Sequence, residues 1–186
     1  MLGVKRQTSN LAVYGETGRY PLELRQKLML IRYWCRIILL GSDNPLSHIY
    51  KELLDMHRSG KKNWCTTVMD VLTSLGRVDL WDAHLAGTDD TRIVQYLPQL
   101  KCDLEEQYRT KWFAEINDSV SNPILRTYKL FKSSHNAEAY LFASMSVKFR
   151  KIIAKFRVSS HQLRIEIGRH ERPRIPESDR KCLFCS

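Results

Sequence analysis

Hydrophobic residues recur at steps of three and four positions through most of the chain, and this spacing predicts α-helices. The clearest stripe follows Pro21, a residue suited to a first helical turn, and ends at Gly41. Its apolar members are Leu24, Leu28, Ile31, Cys35 and Ile38. Residues 28–40 are too few to span a bilayer, which takes roughly 20, and they include two arginines. We therefore expect a buried helix with one charged edge.

Two further helices are predicted before the polar break at 87–90. Asp43-Asn44-Pro45 is a helix start signal, and Gly60 ends the helix that it opens. The expected buried face of this helix is Leu46, Ile49, Leu53 and His57. The next stripe is Trp64, Val68, Leu72 and Leu75, and Leu80-Trp81 indicates a short helical turn after it.

The second half of the chain repeats the helical spacing. Pro98 favours a helix start at that position rather than at Thr91. The apolar side of this helix is Leu100, Leu104, Tyr108, Trp112 and Ile116. Asn122-Pro123 predicts a helix that runs through Phe131. Another helix is marked by an apolar side of Phe149, Ile152, Ile153 and Phe156.

The period changes after Ser160. Leu163, Ile165 and Ile167 alternate with polar residues, which predicts a short strand or extended arm, and two later prolines favour extended backbone. The sequence thus predicts an all-α multi-helix bundle with a short extended basic C-terminal arm. The expected boundaries are an extended lead-in over 1–20, a helical domain over 21–157 and the arm over 158–186.

Charge makes the C-terminal end distinctive. The 186-residue chain has a formal net charge of +10, with 43% hydrophobic and 27% charged residues, which is a globular composition. Residues 144–186 hold eleven Lys or Arg against four Asp or Glu, a net of +7. A surplus of this size favours a polyanionic partner, with nucleic acid ahead of a membrane surface.

The arm and the helix before it supply the candidate phosphate contacts. Several of these cations share one helix side at three- and four-residue spacing, opposite the apolar side. The candidates are Lys148, Lys151, Lys155, Arg157, Arg164, Arg169, Arg172 and Arg174. A solvated charged face is the alternative interpretation. Binding through such contacts should weaken as salt rises and show little sequence preference.

Cysteine usage points to a reduced chain with one incomplete metal motif. The five cysteines are an odd number without disulfide-framework spacing, and residues 1–10 lack the apolar core of a signal peptide. Cys182 and Cys185 form a CxxC pair that supplies two of the four ligands of tetrahedral zinc. Zinc binding would need additional ligands, for which His161 and His170 are upstream candidates, so no cofactor is assigned.

No catalytic constellation is predicted. Asp89-Asp90 is an adjacent carboxylate pair, but its place before a helix favours capping over a metal site. The segment 15–18, Gly-Glu-Thr-Gly, lacks the Lys-Ser/Thr of a phosphate loop and is interpreted as a turn. Ser159-Ser160-His161 has no assignable acidic partner. We therefore expect a chain without enzymatic activity of its own.

Two segments carry a resemblance to a known family. They are residues 10–22, with Gly15, Gly18 and Pro21, and residues 159–169 followed by Ile175-Pro176, Arg180 and Cys182-x-x-Cys185. Between these two segments, aromatic positions contribute to the same resemblance, namely Tyr33-Trp34, Trp81, Trp112 and Phe131 with Lys132. Together they resemble the region that follows the polymerase domain in reverse transcriptase polyproteins of invertebrate non-LTR (LINE-like) retrotransposons.

The resemblance implies a helical accessory region that contacts template RNA or target DNA and is non-catalytic. The aromatic-x-Asp-Asp segment of the family's polymerase is absent from this sequence. Only Cys182 and Cys185 carry over as prospective zinc ligands. An intracellular protein of the nucleus or cytoplasm, with no membrane partner, is expected. The alternative is a helical protein-interaction module or a non-functional transposon relic.

Overall fold

The computed structural model describes residues 2–87, 90–125, 127–168, 171–173 and 175–181, and most of them are helical. Within those residues there is no β-strand, and one isolated antiparallel bridge joins Thr17 to Ala137. The predicted all-α class is confirmed. The α-helices are α1 Asn10–Thr17, α2 Leu22–Ile38, α3 Pro45–Arg58, α4 Trp64–Ser74, α5 Val78–Leu85, α6 Asp90–Gln95, α7 Leu97–Asn117, α8 Tyr128–Phe131, α9 Val147–Arg157 and α10 Arg164–Ile167. Short 3-10 turns cover Pro123–Leu125, Ala139–Leu141 and Glu177–Asp179.

The chain divides into two compact units. The middle unit is Tyr20–Thr110, and the terminal unit combines Met1–Arg19 with Lys111–Ser186. Helix α7 contributes residues to both. This division differs from the single helical domain predicted over 21–157, because helical periodicity reports local packing and not which distant segments share a core.

The middle unit is built around α2 and α4. In α2, Ile31 and Trp34 are fully buried, while Arg32 and Arg36 are exposed, so the predicted buried helix with a charged edge is confirmed. The unit's core also takes residues from α3 to α7. Its most buried members are Ile31, Trp34, Cys65, Val68, Leu72, Trp81, Ile93 and Leu100.

The start of α3 is as predicted, but its buried face is not. The Asn44 side chain caps the helix by accepting the Leu46 N–H at 3.0 Å. Ser47, Tyr50 and Leu54 are buried, whereas Ile49, expected in the core, is 56% exposed. The face predicted from the apolar spacing is therefore wrong by one position.

Tyr50 faces inward because its hydroxyl has two partners there. It accepts the Trp34 Nε1–H at 3.2 Å and lies 2.9 Å from His84 Nε2. The other ring nitrogen of His84, Nδ1, lies 2.7 Å from an Asp90 carboxylate oxygen, so a chain of hydrogen bonds runs from Trp34 through Tyr50 and His84 to Asp90. A buried polar group that is fully hydrogen-bonded carries little penalty, so a tyrosine takes a core position that hydrophobicity alone would assign elsewhere.

The region around Pro98 contains one helix more than predicted. Helix α6 occupies Asp90–Gln95, and α7 starts at Leu97, which puts Pro98 in the first turn of a helix. A first-turn proline loses no intrahelical hydrogen bond, which explains why the chain tolerates it there. The prediction that a helix starts at Pro98 rather than at Thr91 is therefore wrong for α6, because helices occupy both places.

In the terminal unit, α1 lies where an extended lead-in was expected. The helix lies close to two aromatic side chains, since the carbonyls of Leu11 and Ala12 accept hydrogen bonds from Trp112 Nε1 at 2.9 Å and Tyr128 Oη at 3.2 Å. A Cβ at Gly15 would overlap both aromatic side chains. Such close packing leaves no apolar stripe in the sequence.

The C-terminal arm is also more folded than predicted. In place of a strand, residues 164–167 form the helical turn α10, closed by a hydrogen bond from Gly168 N to the Arg164 carbonyl at 2.8 Å. Further on, Arg180 is buried and its Nε donates to the Ile175 carbonyl at 2.8 Å. Alternating Leu and Ile residues had suggested a strand, but no strand among the described residues is available to pair with one.

Candidate nucleic-acid interface

Helix α9 carries most of the candidate cations, and its orientation decides which are accessible. The Ser146 side chain caps its first turn by accepting the Phe149 N–H at 3.4 Å. Ala154 is fully buried, so the face that contains it turns inward. Arg150 and Arg157 lie on the same face at four and three residues from Ala154. The helix therefore turns two of its basic residues toward the protein.

The opposite face of α9 carries two parallel stripes at the surface. One consists of the apolar residues Phe149, Ile152 and Phe156, which are 63%, 52% and 45% exposed. The other consists of exposed lysines at the preceding positions, Lys148, Lys151 and Lys155. Three residues of the apolar side that marks this helix in the sequence thus lie at the surface, because the inward positions go to Ala154 and the two arginines.

Arg157 is engaged in a buried ion-pair network. Its Nε donates to both carboxylate oxygens of Glu16 at 3.0 and 3.1 Å, and its Nη2 lies 3.0 Å from the Glu138 carboxylate. The rings of Phe131 and Tyr140 lie within 6 Å of the guanidinium carbon. The interpretation of Arg157 as a phosphate contact is therefore corrected: its charge is already neutralised by two carboxylates.

The rest of the network satisfies those carboxylates. Glu16 is fully buried and also accepts a 2.6 Å hydrogen bond from Tyr140 Oη. Desolvation, with the neighbouring Glu16 adding to it, raises the pKa of Tyr140 above its ordinary value. The ammonium group of buried Lys132 pairs with Glu138 and donates to the Asn136 carbonyl. Residues 15–18 were interpreted from the sequence as a turn, but residues 15–17 are the end of α1 and Gly18 caps it. Glu16 therefore places a buried charge in the last turn of this helix.

Of the other predicted phosphate contacts, two lie among the described residues and two lie outside them. Arg164 Nη2 lies 3.9 Å from a Glu171 carboxylate oxygen in a partly exposed ion pair, and Arg172 is exposed. Arg169 and Arg174 lie outside the described residues. The structure therefore brings together the three lysines of α9, and it does not draw Arg164 and Arg172 into the same stripe.

A segment that no local sequence pattern indicated joins α9 at the surface. The Lys5 backbone N–H donates to Ser160 Oγ at 3.0 Å, and a Cβ at Gly3 would lie 2.8 Å from Lys151 Cδ. The exposed side chains of Lys5 and Arg6 belong to this segment and add cations to the same region. They lie about 150 positions from α9, and no local pattern could link them.

The described residues form no metal site. No group of three or more His, Cys, Asp or Glu side chains in the described ranges is placed to hold a metal ion. Cys182, Cys185, His170 and Asp89 lie outside those ranges. Asp90 accepts a hydrogen bond from His84 at 2.7 Å. Ser160 receives the Lys5 N–H, and the His161 ring stacks on Phe156 with 5.4 Å between centroids.

Burial controls the chemistry of two cysteines. Cys35 and Cys65 are buried, and desolvation raises the pKa of each thiol to about 11. Because the thiolate is the reactive form, we expect iodoacetamide at pH 8 to spare both residues in the folded protein while it alkylates exposed Cys102. Peptide mapping by mass spectrometry measures this. Equal labelling of Cys35 and Cys102 would contradict the buried placement.

None of the helices in the described part of the chain has the length and apolar character needed to cross a lipid bilayer. This agrees with the interpretation of the apolar segment 28–40 as part of a core helix. Comparison of the chain with protein-family models, curated proteins and solved structures finds no match.

Proposed function

We propose that the terminal unit binds nucleic acid through the exposed face of α9. The observation that carries the proposal is the pair of stripes on this face, three lysines beside three apolar residues, all turned to solvent. A purely structural helix would bury Phe149 and Phe156, because each large aromatic side chain contributes core energy when buried. Leaving them at the surface beside lysines is typical of surfaces that contact both phosphates and bases.

Charge supports a polymer of phosphates as the ligand. The 43 residues from position 144 onward carry a net charge of +7, while the rest of the chain carries +3. Helix α9 concentrates Lys148, Lys151 and Lys155 within about 10 Å along its axis, at 1.5 Å per residue. Lysines at this density contact neighbouring phosphates of one strand and release condensed counterions on binding.

The resemblance of residues 10–22 and 159–185 to the post-polymerase region of non-LTR retrotransposon reverse transcriptases supplies a context for this proposal. In that context the protein is a non-catalytic accessory region that contacts template RNA or target DNA in the nucleus or cytoplasm.

Replacing the three lysines tests the proposal. We expect Lys148→Gln with Lys151→Gln and Lys155→Gln to weaken binding of a labelled 20-nucleotide strand at low salt by at least about tenfold. Since each phosphate contact contributes about 0.7 to the slope of log affinity against log salt for a single strand, the slope should fall by about 2. Fluorescence anisotropy titrations at several KCl concentrations measure both quantities.

A matched variant distinguishes the loss of the α9 lysines from the loss of net charge. Lys51, Lys61 and Lys62 are exposed lysines of the middle unit, and their replacement by Gln removes the same charge. We expect this variant to bind almost as the natural protein does. Equal loss in both variants, a flat salt response, or binding to anionic lipid vesicles without binding to oligonucleotides would contradict the proposal.

A further inference from the structure

A surface groove lies at the C-terminal end of α9, beside the lysine stripe. Its volume is about 450 Å³, a size within the range of small-molecule sites. Three segments line it, and we call residues 3–5 and residues 160–163 its two walls and Ile152, Lys155 and Phe156 of α9 its floor. All of these residues belong to the terminal unit.

Hydrogen bonds hold the two walls in place. Ser160 is buried and its Oγ accepts the Lys5 N–H at 3.0 Å and lies 3.3 Å from Thr8 Oγ1. The Ser160 N–H in turn donates to the Lys155 carbonyl at 2.8 Å, which closes the end of α9. Ser159 has a φ of 53°, and this left-handed residue turns the chain back beside the helix. The groove is therefore formed before any ligand arrives.

The lining of the groove suits a nucleotide. Phe156 presents a half-exposed ring that the His161 ring already supports from one side, with 28° between the two planes. The exposed residues Lys5 and Lys155 both line the groove, and the Gln162 side chain adds an amide. An aromatic floor with ammonium groups at its edge matches a planar base joined to a phosphate.

We infer that the nucleic acid bound by this protein is single-stranded and that one of its bases stacks on Phe156 in this groove. The inference rests on the proposed contact between the α9 lysines and the phosphates. In a duplex each base is stacked between its neighbours, so a protein ring reaches only groove edges. An unpaired strand offers base faces to aromatic side chains along with its phosphates.

The test compares one labelled 20-nucleotide sequence as a single strand and as a duplex, in RNA and in DNA. We expect the natural protein to prefer the single strand. Phe156→Ala and Phe156→Leu should both weaken single-strand binding roughly 5- to 100-fold, since stacking on an aromatic ring is lost. Duplex binding and the salt slope should stay unchanged, because the lysines remain. The leucine variant keeps an apolar floor and guards against loss of folding.

The control is Phe142→Ala, which removes a 78% exposed ring of the same unit that does not line the groove. It should keep the single-strand preference. A natural protein that binds duplex as well as single strand, or Phe156 variants that keep the preference, overturns the inference and leaves the lysine contacts standing. If the natural protein binds neither polymer, the proposed function fails and this inference fails with it.

Discussion

Replacing Glu16 with Gln is expected to lower the free energy of unfolding of the terminal unit by about 3–5 kcal/mol, the usual cost of removing one partner from a buried ion pair. Glu16 is fully buried and receives Arg157 Nε at 3.0 and 3.1 Å and Tyr140 Oη at 2.6 Å. A glutamine has nearly the same shape, but its NH₂ group would face those donors. The guanidinium of Arg157 would keep only the carboxylate of Glu138.

Glu23→Gln is the control for this change. Glu23 pairs with Lys27 at 2.9 Å with its side chain 74% exposed, and an exposed pair of this kind contributes about 1 kcal/mol or less. Hydrogen exchange followed by mass spectrometry over peptides from α1 and α9 reads the local stability of the terminal unit. If those peptides exchange as slowly in the Glu16→Gln variant as in the Glu23→Gln variant, the network around Arg157 contributes little to the stability of the fold.

The second large effect is expected at Gly18. Its φ of +62° is unfavourable for any residue with a Cβ, and a Cβ there would overlap the backbone nitrogen of Ala137, which forms the turn opposite α1. The Glu138 N–H also donates to the Glu16 carbonyl at 3.0 Å, so this turn cannot retreat freely. We expect Gly18→Ala to destabilise the terminal unit by at least about 3 kcal/mol, combining left-handed strain with overpacking.

Gly76 separates these two causes. Its φ is +68°, almost the same as that of Gly18, but nothing lies within 4 Å of a Cβ built there. Gly76→Ala should therefore cost the middle unit only the conformational penalty, about 1–2 kcal/mol. Thermal and urea unfolding of the two variants, with hydrogen exchange to assign each loss to its unit, measures the difference. Equal losses would mean that the Ala137 backbone yields to a methyl group.

Local sequence patterns were sufficient for most of the middle unit. The α2 stripe ran as predicted, and the Asn44 cap of α3 lay at its start signal. These features depend on residues within one or two turns of each other, which is the range that periodicity and capping describe. The inward Tyr50 was missed because its burial depends on Trp34 and His84, 16 and 34 positions away.

The terminal unit was harder to predict for the same physical reason. Glu16 and Arg157 are 141 positions apart, and nothing near either residue indicates the other. Without that pair, α9 reads as an ordinary amphipathic helix with its aromatic side in the core. Once Arg157 is drawn inward by two carboxylates, Phe149 and Phe156 must face solvent. The lysines were thus candidates from the sequence alone, whereas the apolar residues expected opposite them form an exposed stripe beside them.

Because the terminal unit combines two segments that are separated by the whole middle unit, its assembly is late in the order of synthesis. When α1 leaves the ribosome, the residues that accept it in the fold have not yet been made, and the whole of Tyr20–Thr110 is translated in between. Closing so long a loop makes this unit slow to form compared with the middle unit, whose contacts are nearer in sequence. Substitutions within residues 3–5 should accordingly alter the groove beside α9, about 150 positions later in the chain.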